Sequence, residues 1–421
     1  MPTIASLQKN LRDCYKREEI DYYMAPLVHF ENGQPAGRVK RGDTLFFCCR
    51  RGDRQVQLTE AFVDPSFSHF QVETLADLSL VTLVQFHDKL AHLPTMFPIH
   101  RPQETLGEVL SQETEKAAHV TYFFNGRRVE PYEGEEWVIV ASPHSSEFLQ
   151  KPETSTAQVA AAVEAAMLRQ AQSHDQHVIV ANLAAGDIIG HLDDWDANVR
   201  AAEAVDAALD KICSDAAKHG YAVAITADHG LLEKFRNDDG SVNLSHTTSK
   251  VPFGLVLPKE GSPVQLKPAE EATLADVGPT LLNMMGIAVP GSMDGVNRAT
   301  VAGVYDRIVL VVADGWGLGS SDPDKNPIFA GHTPRMDQVA QGCPYITLAA
   351  SGEAVGALAG RSGNSETGHL TLGSGRVVLQ DELRIARAIK AGELRDNEAV
   401  DQGLEAARLH GGDVHILTML T

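Results

Sequence analysis

Short apolar runs rich in β-branched residues alternate with segments of helical periodicity through the middle of the chain. Four of these runs are typical of buried strands, and they cover residues 137–141, 177–183, 221–227 and 307–313. Between them, apolar residues at three- and four-residue steps predict two amphipathic helices. These residues are Val159, Val163 and Met167 in one helix and Val199, Ala202, Val205, Leu209 and Ile212 in the other. The alternation predicts an α/β fold, in which helices cover a mostly parallel sheet.

The two ends of the chain follow a different pattern. Near the start we predict a charged opening helix, a hairpin at Asn32-Gly33 and, at the Pro-rich residues 93–98, a linker. After Gln380, a helical stretch of Leu, Ile and Ala punctuated by charges leads to an apolar strand at residues 414–417. Because a buried strand with nothing after it is unusual, we expect that the chain is cut at this point.

The balance of charge narrows the range of functions. Thirty-six Lys and Arg residues against 56 Asp and Glu give a net charge of −20, which would repel a nucleic-acid backbone or an anionic bilayer. We therefore expect neither nucleic acid nor membrane as a partner. The chain start lacks the apolar core of a signal peptide, and no apolar stretch approaches the roughly 20 residues that cross a bilayer, so we expect a cytoplasmic protein. The five cysteines lack paired metal spacing and are expected to be reduced thiols.

Acidic residues and histidines follow three of the predicted strands. Asp187 and His191 are four residues apart, which places them on one face of a helical turn directly after a strand. Asp228-His229-Gly230 and Asp314 close two further strands, and His246 lies in a polar loop. Each residue alone also suits a helix cap, a turn or a surface position. Strand ends meet at one edge of an open α/β sheet, and the combined carboxylates and imidazoles suit two Mn²⁺ or Zn²⁺ ions.

A candidate nucleophile lies further along the chain. Residues 363–369 (Gly-Asn-Ser-Glu-Thr-Gly-His) place Ser365 at a Gly-bounded turn that leads into a predicted helix. There a serine oxygen could meet both a metal ion and a phosphate drawn to the helix amides. The alternative interpretation is that Ser365 is simply the N-cap of that helix.

Seven short motifs together carry a family resemblance. They are Val-Ala-Asp-Gly-Trp-Gly at 312–317, Thr-Pro-Arg-Met-Asp at 333–337, Gly-Asn-Ser-Glu at 363–366, Glu-Thr-Glu-Lys at 113–116, Asp187 to His191, Thr-Ala-Asp-His-Gly at 226–230 and His-Thr-Thr at 246–248. The set resembles the 2,3-bisphosphoglycerate-independent phosphoglycerate mutases of the alkaline phosphatase superfamily, over nearly the whole chain.

The resemblance implies a phosphotransfer centre. It implies interconversion of 3-phosphoglycerate and 2-phosphoglycerate in glycolysis and gluconeogenesis, through a phosphoserine at Ser365 and without 2,3-bisphosphoglycerate. It assigns Asp187, His191 and His246 to one Mn²⁺ ion, and Asp314, Asp228, His229 and Ser365 to the other. Mg²⁺ or Zn²⁺ are alternatives to Mn²⁺. Lys116 matches a lysine that stabilises the transferring phosphoryl group, and Asn364 matches a substrate contact.

The chain departs from the family in order and in extent. The segment resembling residues 308–421 comes first in the family and that resembling 1–295 comes last, so we expect a circular permutant joined near residues 295–306. A stretch that grips the glycerate is missing. From that face the chain keeps Arg51-Gly52-Asp53-Arg54, in which Arg51 and Arg54 resemble an arginine pair that holds the substrate's anionic groups, although the register could slide to Arg50.

The resemblance also predicts the division into domains. We expect a three-layer, alkaline-phosphatase-like metal-binding domain at residues 99–380. Residues 1–98 and 381–421 would be the C-terminal and N-terminal parts of a truncated α/β substrate domain. We expect a monomer that acts on a small phosphate ester, unless a second chain supplies the missing segment. The alternatives to a mutase are a metal-dependent phosphomonoesterase and an inactive, incomplete fragment.

Overall fold

The structure, a computed structural model, separates the chain into two compact units. It describes residues 4–19, 24, 27–50, 52–73, 75–102, 105–106, 109–113, 119–170, 175–258 and 261–418. One unit combines Met1–Ile99 with Ala388–Thr421, and the other is His100–Arg387. The larger unit contains every described residue of the expected metal centre.

Helices and strands alternate through most of the described chain. The helices are α1 Ile4–Lys16, α2 Gly52–Val63, α3 Thr156–Arg169, α4 Ala185–Gly190, α5 Trp195–His219, α6 Val277–Met284, α7 Pro327–Ala330, α8 Pro334–Gly342, α9 Ser365–Ser374, α10 Asp381–Ala391 and α11 Glu398–His410. The strands are β1 Phe30–Glu31, β2 Gln34–Pro35, β3 Thr44–Phe47, β4 Ser79–Val84, β5 Thr95–Phe97, β6 Val109–Glu113, β7 Glu136–Val140, β8 His177–Leu183, β9 Ala222–Thr226, β10 Val251–Val256, β11 Arg307–Ala313, β12 Tyr345–Leu348 and β13 Val414–Leu417.

A seven-stranded sheet forms the centre of the larger unit, in the order β12-β10-β9-β11-β8-β6-β7. Strands β9, β11, β8, β6 and β7 run parallel, whereas β10 is antiparallel to both β9 and β12. Every residue of β8 and β9 is buried. Because successive side chains point to opposite faces, both faces of these strands must be covered, which confirms the predicted layered α/β fold with a mostly parallel sheet.

The crossover helix α5 follows the predicted stripe. Val205, Leu209 and Ile212 are buried in the core that also holds the strands. Asp194 caps its first turn by accepting a hydrogen bond from the backbone N–H of Ala197, 2.8 Å away. The helix ends at Gly220, whose φ of 75° is the left-handed conformation that glycine adopts without steric cost.

The smaller unit contains a four-stranded parallel sheet in the order β13-β3-β4-β5. Strand β13 confirms the predicted strand at 414–417, but the expectation that it is buried is wrong, because at the sheet edge its side chains alternate between exposed and half-buried. Strands β1 and β2 form the predicted hairpin at Asn32-Gly33, where both residues have positive φ. The prediction of a linker at residues 93–98 is wrong, because β5 lies within them and pairs with β4. Pro94 and Pro98 flank this strand, which lies at the sheet edge where proline is tolerated.

The structure also bears on the expectations about membrane-spanning segments and about the cysteines. Within the described ranges, no helix combines the length and the hydropathy required to cross a bilayer. All five cysteines are free thiols, and three of them, Cys14, Cys49 and Cys213, are buried. Burial raises the pKa of the Cys213 thiol to about 12, which makes this side chain an inert part of the core.

Candidate metal centre

Three parallel strands deliver buried carboxylates to one edge of the larger sheet. Asp314 directly follows β11, Asp228 lies two residues after β9, and Asp187 lies in α4, which begins two residues after β8. All three aspartates are buried. Since β9, β11 and β8 are neighbours that run parallel, their carboxyl ends bring these side chains together.

The first group of candidate ligands combines Asp187 with two histidines. The Oδ1 atom of Asp187 lies 3.4 Å from Nε2 of His191 and 3.1 Å from Nε2 of His246, and the two Nε2 atoms are 3.2 Å apart. The ring atom Nδ1 of each histidine contacts a backbone carbonyl, of Leu244 for His191 and of Gly363 for His246. These hydrogen bonds orient the rings so that both Nε2 atoms face Asp187.

These separations fit a divalent metal ion. Bonds of about 2.1 Å hold neighbouring donor atoms about 3.0 Å apart in octahedral geometry and about 3.4 Å apart in tetrahedral geometry. The three distances in the first group span this interval. A mixed set of imidazole and carboxylate donors is also the chemistry that Mn²⁺ and Zn²⁺ accept. The spacing of these three donor atoms therefore fits such an ion.

The second group centres on His229. Its Nε2 atom lies 3.1 Å from Oγ of Ser365, 3.3 Å from Oδ2 of Asp228 and 3.5 Å from Oδ1 of Asp314. The same nitrogen is 3.6 Å from Oδ1 of Asp187, so Asp187 lies between the two groups. The His229 and His246 rings stack with centroids 3.8 Å apart. The structure thus brings together all seven residues that the resemblance assigns to metal ions.

Helix α9 positions Ser365 at its first turn. The N-cap is Asn364, whose side-chain oxygen accepts a hydrogen bond from the backbone N–H of Thr367 at 2.8 Å. The alternative interpretation of Ser365 as the cap is therefore wrong, and its hydroxyl is turned towards His229 instead. Helix α9 can lie close to the backbone of Asp228 because residue 368 is glycine. A Cβ at that position would lie 2.5 Å from the carbonyl oxygen of Asp228.

Two polar residues that the sequence reasoning did not single out also join the cluster. Fully buried His369, one turn after Ser365, contacts the Ser365 carbonyl at 2.9 Å and Oδ2 of Asp228 at 3.3 Å through Nδ1. Asn182 donates to Oδ2 of Asp314 at 2.8 Å from within β8. The four-residue spacing of Ser365 and His369 was a usable signal for a shared helix face, whereas an asparagine inside a strand offered none.

The aspartates change the pKa of two histidines. Burial lowers the pKa of His246, but the hydrogen bond and the charge of Asp187 outweigh it and raise the pKa above its ordinary value. Burial also lowers the pKa of His369. The hydrogen bond and the charge of Asp228 outweigh this effect, so the pKa of His369 is raised as well. The buried aspartates thus favour the protonated form of both rings.

The structure does not describe the side chains of three predicted site residues. Lys116 and Arg51 lie outside the described residues. Arg54 falls within α2 of the smaller unit, and its side chain is not described. Their roles stay predictions.

Comparison with known families agrees with this donor set. The model of the Metalloenzyme superfamily matches residues 89–289 and 306–410, which is more than two thirds of the chain. The chain belongs to the Metalloenzyme superfamily. The family described as the BPG-independent PGAM N-terminus matches residues 2–88, most of the first segment of the smaller unit.

Curated relatives of this chain share a name. The 2,3-bisphosphoglycerate-independent phosphoglycerate mutase of Salinibacter ruber is 39% identical over 272 residues, covering 62% of this chain and 50% of the relative. That of Idiomarina loihiensis is 36% identical over 310 residues, covering 71% and 58%. The chain thus spans about half the length of the curated relatives it matches. A solved Leishmania mexicana phosphoglycerate mutase matches with a TM-score of 0.48 at 25% identity, covering 70% of this chain and 57% of that one.

Proposed function

We propose that this metalloenzyme interconverts 3-phosphoglycerate and 2-phosphoglycerate through a phosphoserine at Ser365, as an enzyme of glycolysis and gluconeogenesis. The observation that carries the proposal is the position of the Ser365 hydroxyl. Its Oγ lies 3.1 Å from Nε2 of His229, at the start of α9 and among the buried carboxylates. The curated relatives, named as 2,3-bisphosphoglycerate-independent phosphoglycerate mutases, support the choice of substrate.

The proposed cofactors are two Mn²⁺ ions, with Mg²⁺ or Zn²⁺ as alternatives. Asp187, His191 and His246 would hold one ion, and Asp314, Asp228, His229 and Ser365 would hold the other. When bound, the ions supply positive charge that lowers the pKa of the Ser365 hydroxyl and offsets the charge of the phosphoryl group. The superfamily match and the mixed set of carboxylate and imidazole donors support this dependence on a divalent metal.

The reaction would take place in two balanced transfers. In the first, Oγ of Ser365 forms a bond to phosphorus while the bond from phosphorus to the glycerate oxygen breaks, and the serine proton ends on that oxygen. In the second, the other hydroxyl oxygen of glycerate forms a bond to phosphorus while the bond from phosphorus to Oγ of Ser365 breaks, and the proton of that hydroxyl ends on Ser365. Backbone N–H groups at the start of α9 would help to hold the phosphate oxygens.

Residues outside the metal centre would hold the substrate. Lys116 would neutralise the transferring phosphoryl group, and Asn364, next to the nucleophile, would contact the substrate. Arg51 and Arg54 would bind its anionic groups, since a guanidinium pairs with a carboxylate or phosphate through two parallel hydrogen bonds.

The test is product analysis together with labelling of the protein. Protein with Mn²⁺ and phosphate-labelled 3-phosphoglycerate, without 2,3-bisphosphoglycerate, is expected to yield 2-phosphoglycerate and a labelled serine. Ser365→Ala is expected to abolish both signals. The matched control is Ser374→Ala, which removes a second buried hydroxyl of α9, one that donates to the Leu370 carbonyl at 2.6 Å. This control is expected to keep both signals.

Other outcomes lead to different conclusions. Release of inorganic phosphate without 2-phosphoglycerate would replace the mutase with the phosphomonoesterase alternative. Labelling or turnover that persists in Ser365→Ala refutes the proposed nucleophile. A folded protein that binds Mn²⁺ and shows neither product nor label refutes the proposed activity.

A further inference from the structure

Glu233 is a buried carboxylate outside the proposed ligand set. It is only 2% exposed and follows His229 by four residues, in the turn after β9. Placing a carboxylate in the interior is unfavourable unless hydrogen bonds compensate for the lost hydration. A buried glutamate so close to the metal centre therefore requires a structural or functional reason.

The partner of Glu233 is the hydroxyl of Thr247, the residue next to His246. Thr247 Oγ1 donates a hydrogen bond to Oε1 of Glu233. The same hydroxyl oxygen accepts from the backbone N–H of Ser249 at 3.2 Å. Because a hydroxyl has a single proton, this second contact leaves that proton for Glu233.

Backbone contacts extend this link to the next ligand-bearing turn. The N–H of Thr247 donates to the carbonyl of Gly230, 2.8 Å away, and the two residues form an isolated antiparallel bridge. Gly230 directly follows His229. The loop that carries His246 is therefore attached to the turn that carries His229 through one backbone and one side-chain hydrogen bond.

Glycines make the space that Glu233 occupies. A Cβ on Gly317 would lie 2.3 Å from Oε2 of Glu233, and one on Gly230 would lie 2.8 Å from Oε1. A Cβ on Gly319 would lie 2.8 Å from Cγ of the same side chain. Gly230 belongs to the turn of His229, and Gly317 lies three residues after Asp314. Two turns that carry candidate ligands thus lack side chains where the Glu233 carboxylate packs.

We propose that Glu233 is a positioning residue, which holds His246 in place for metal binding through the hydroxyl of Thr247. This inference rests on the proposed metal centre and adds a requirement to it. His246 lies in a loop rather than in a helix or strand, so the hydrogen bonds of its neighbour Thr247 limit how the loop can move. Outer partners of metal ligands commonly change metal affinity 10- to 100-fold when they are removed.

The experiment measures Mn²⁺ affinity by titration calorimetry, independently of turnover. Glu233→Ala and Thr247→Val are each expected to weaken Mn²⁺ binding about tenfold. Glu233→Gln is expected to bind nearly as well as the wild type, because its amide oxygen can still accept the Thr247 proton. The double variant is expected to be no weaker than the single ones, since both substitutions remove the same hydrogen bond.

A matched control separates positioning from stability. Thr280→Val removes a buried hydroxyl that donates to the Asp276 carbonyl and accepts from the N–H of Arg298. It is expected to lower the melting temperature without changing Mn²⁺ affinity. If Glu233→Ala does not fold, Thr247→Val decides, because threonine and valine have nearly the same shape.

The outcomes distinguish this inference from the proposed function. Wild-type protein that does not bind Mn²⁺ overturns the metal centre itself. Wild-type binding together with unchanged affinity in Thr247→Val overturns the role of Glu233 and leaves the metal centre intact.

Discussion

Buried carboxylates lie close together in the candidate metal centre. We predict that their mutual repulsion destabilises the protein when no metal is bound. A carboxylate oxygen of Asp314 lies within 4.8 Å of one oxygen of Asp187 and of one oxygen of Asp228. Two unit charges at that distance repel by about 3.5 kcal/mol for an effective dielectric constant of about 20. Asp314→Asn removes both repulsions, and the asparagine oxygen can still accept the hydrogen bond from Asn182.

The net effect of Asp314→Asn is smaller than the sum of these repulsions. Hydrogen bonds to a neutral oxygen, such as the one from Asn182, are weaker than those to a carboxylate. We expect a gain of about 2 kcal/mol in the free energy of unfolding without metal, or roughly 2 °C in melting temperature. With Mn²⁺ at about 1,000 times its Kd, the free energy of unfolding of the wild type should rise by about 4.1 kcal/mol. The variant should lose most of this gain.

Thermal unfolding in EDTA and in excess Mn²⁺ tests this reversal of order. The variant should melt above the wild type in EDTA and below it in Mn²⁺. The control Asp206→Asn should melt lower in both buffers, because Asp206 uses both oxygens to accept the N–H groups of Arg335 and Met336. If Asp314→Asn melts below the wild type in EDTA, electrostatic crowding is not what this carboxylate contributes.

Two further predictions concern stability away from the ligands. Burial, assisted by the charge of Arg307, lowers the pKa of His177. As the pH falls below about 6.5, this imidazole is therefore protonated in the unfolded chain before it is protonated in the folded one. His177 therefore favours the folded state above that pH, and its contribution declines on acidification. The melting temperature of the wild type should fall more steeply between pH 7 and pH 5 than that of His177→Gln, and equal slopes would contradict this. Gly373→Ala should lower the free energy of unfolding, measured in urea, by about 2–3 kcal/mol, because its Cβ would lie 1.9 Å from the carbonyl oxygen of Phe124. The control Gly342→Ala, which has open space around it, should lower this free energy far less.

The periodicity of the chain determined the layered fold of the larger unit. Strands β8 and β11 coincide with the predicted runs at 177–183 and 307–313, because buried parallel strands are nearly continuous apolar segments. The helix α5 was equally visible, since its buried stripe repeats at three- and four-residue steps. The linker predicted at residues 93–98 failed because an edge strand as short as β5 contains few residues from which to recognise a pattern.

The candidate ligands were recognisable in sequence, but their grouping was not. Local spacing placed Asp187 and His191 on one helical face, and strand ends placed Asp228 and Asp314 at one sheet edge. His246 reaches Asp187 because of the course of its loop, and no periodic pattern in the sequence predicts that course.

Only the tertiary structure decided the surroundings of these ligands. It made Asn364 rather than Ser365 the helix cap, and it brought His369 against Asp228. It also packed Glu233 among glycines from two separate turns. Local patterns determine helices and strands because neighbouring residues decide backbone conformation and which face is apolar. Contacts between residues distant in the chain depend instead on how those elements pack, and that packing exists only in the folded molecule.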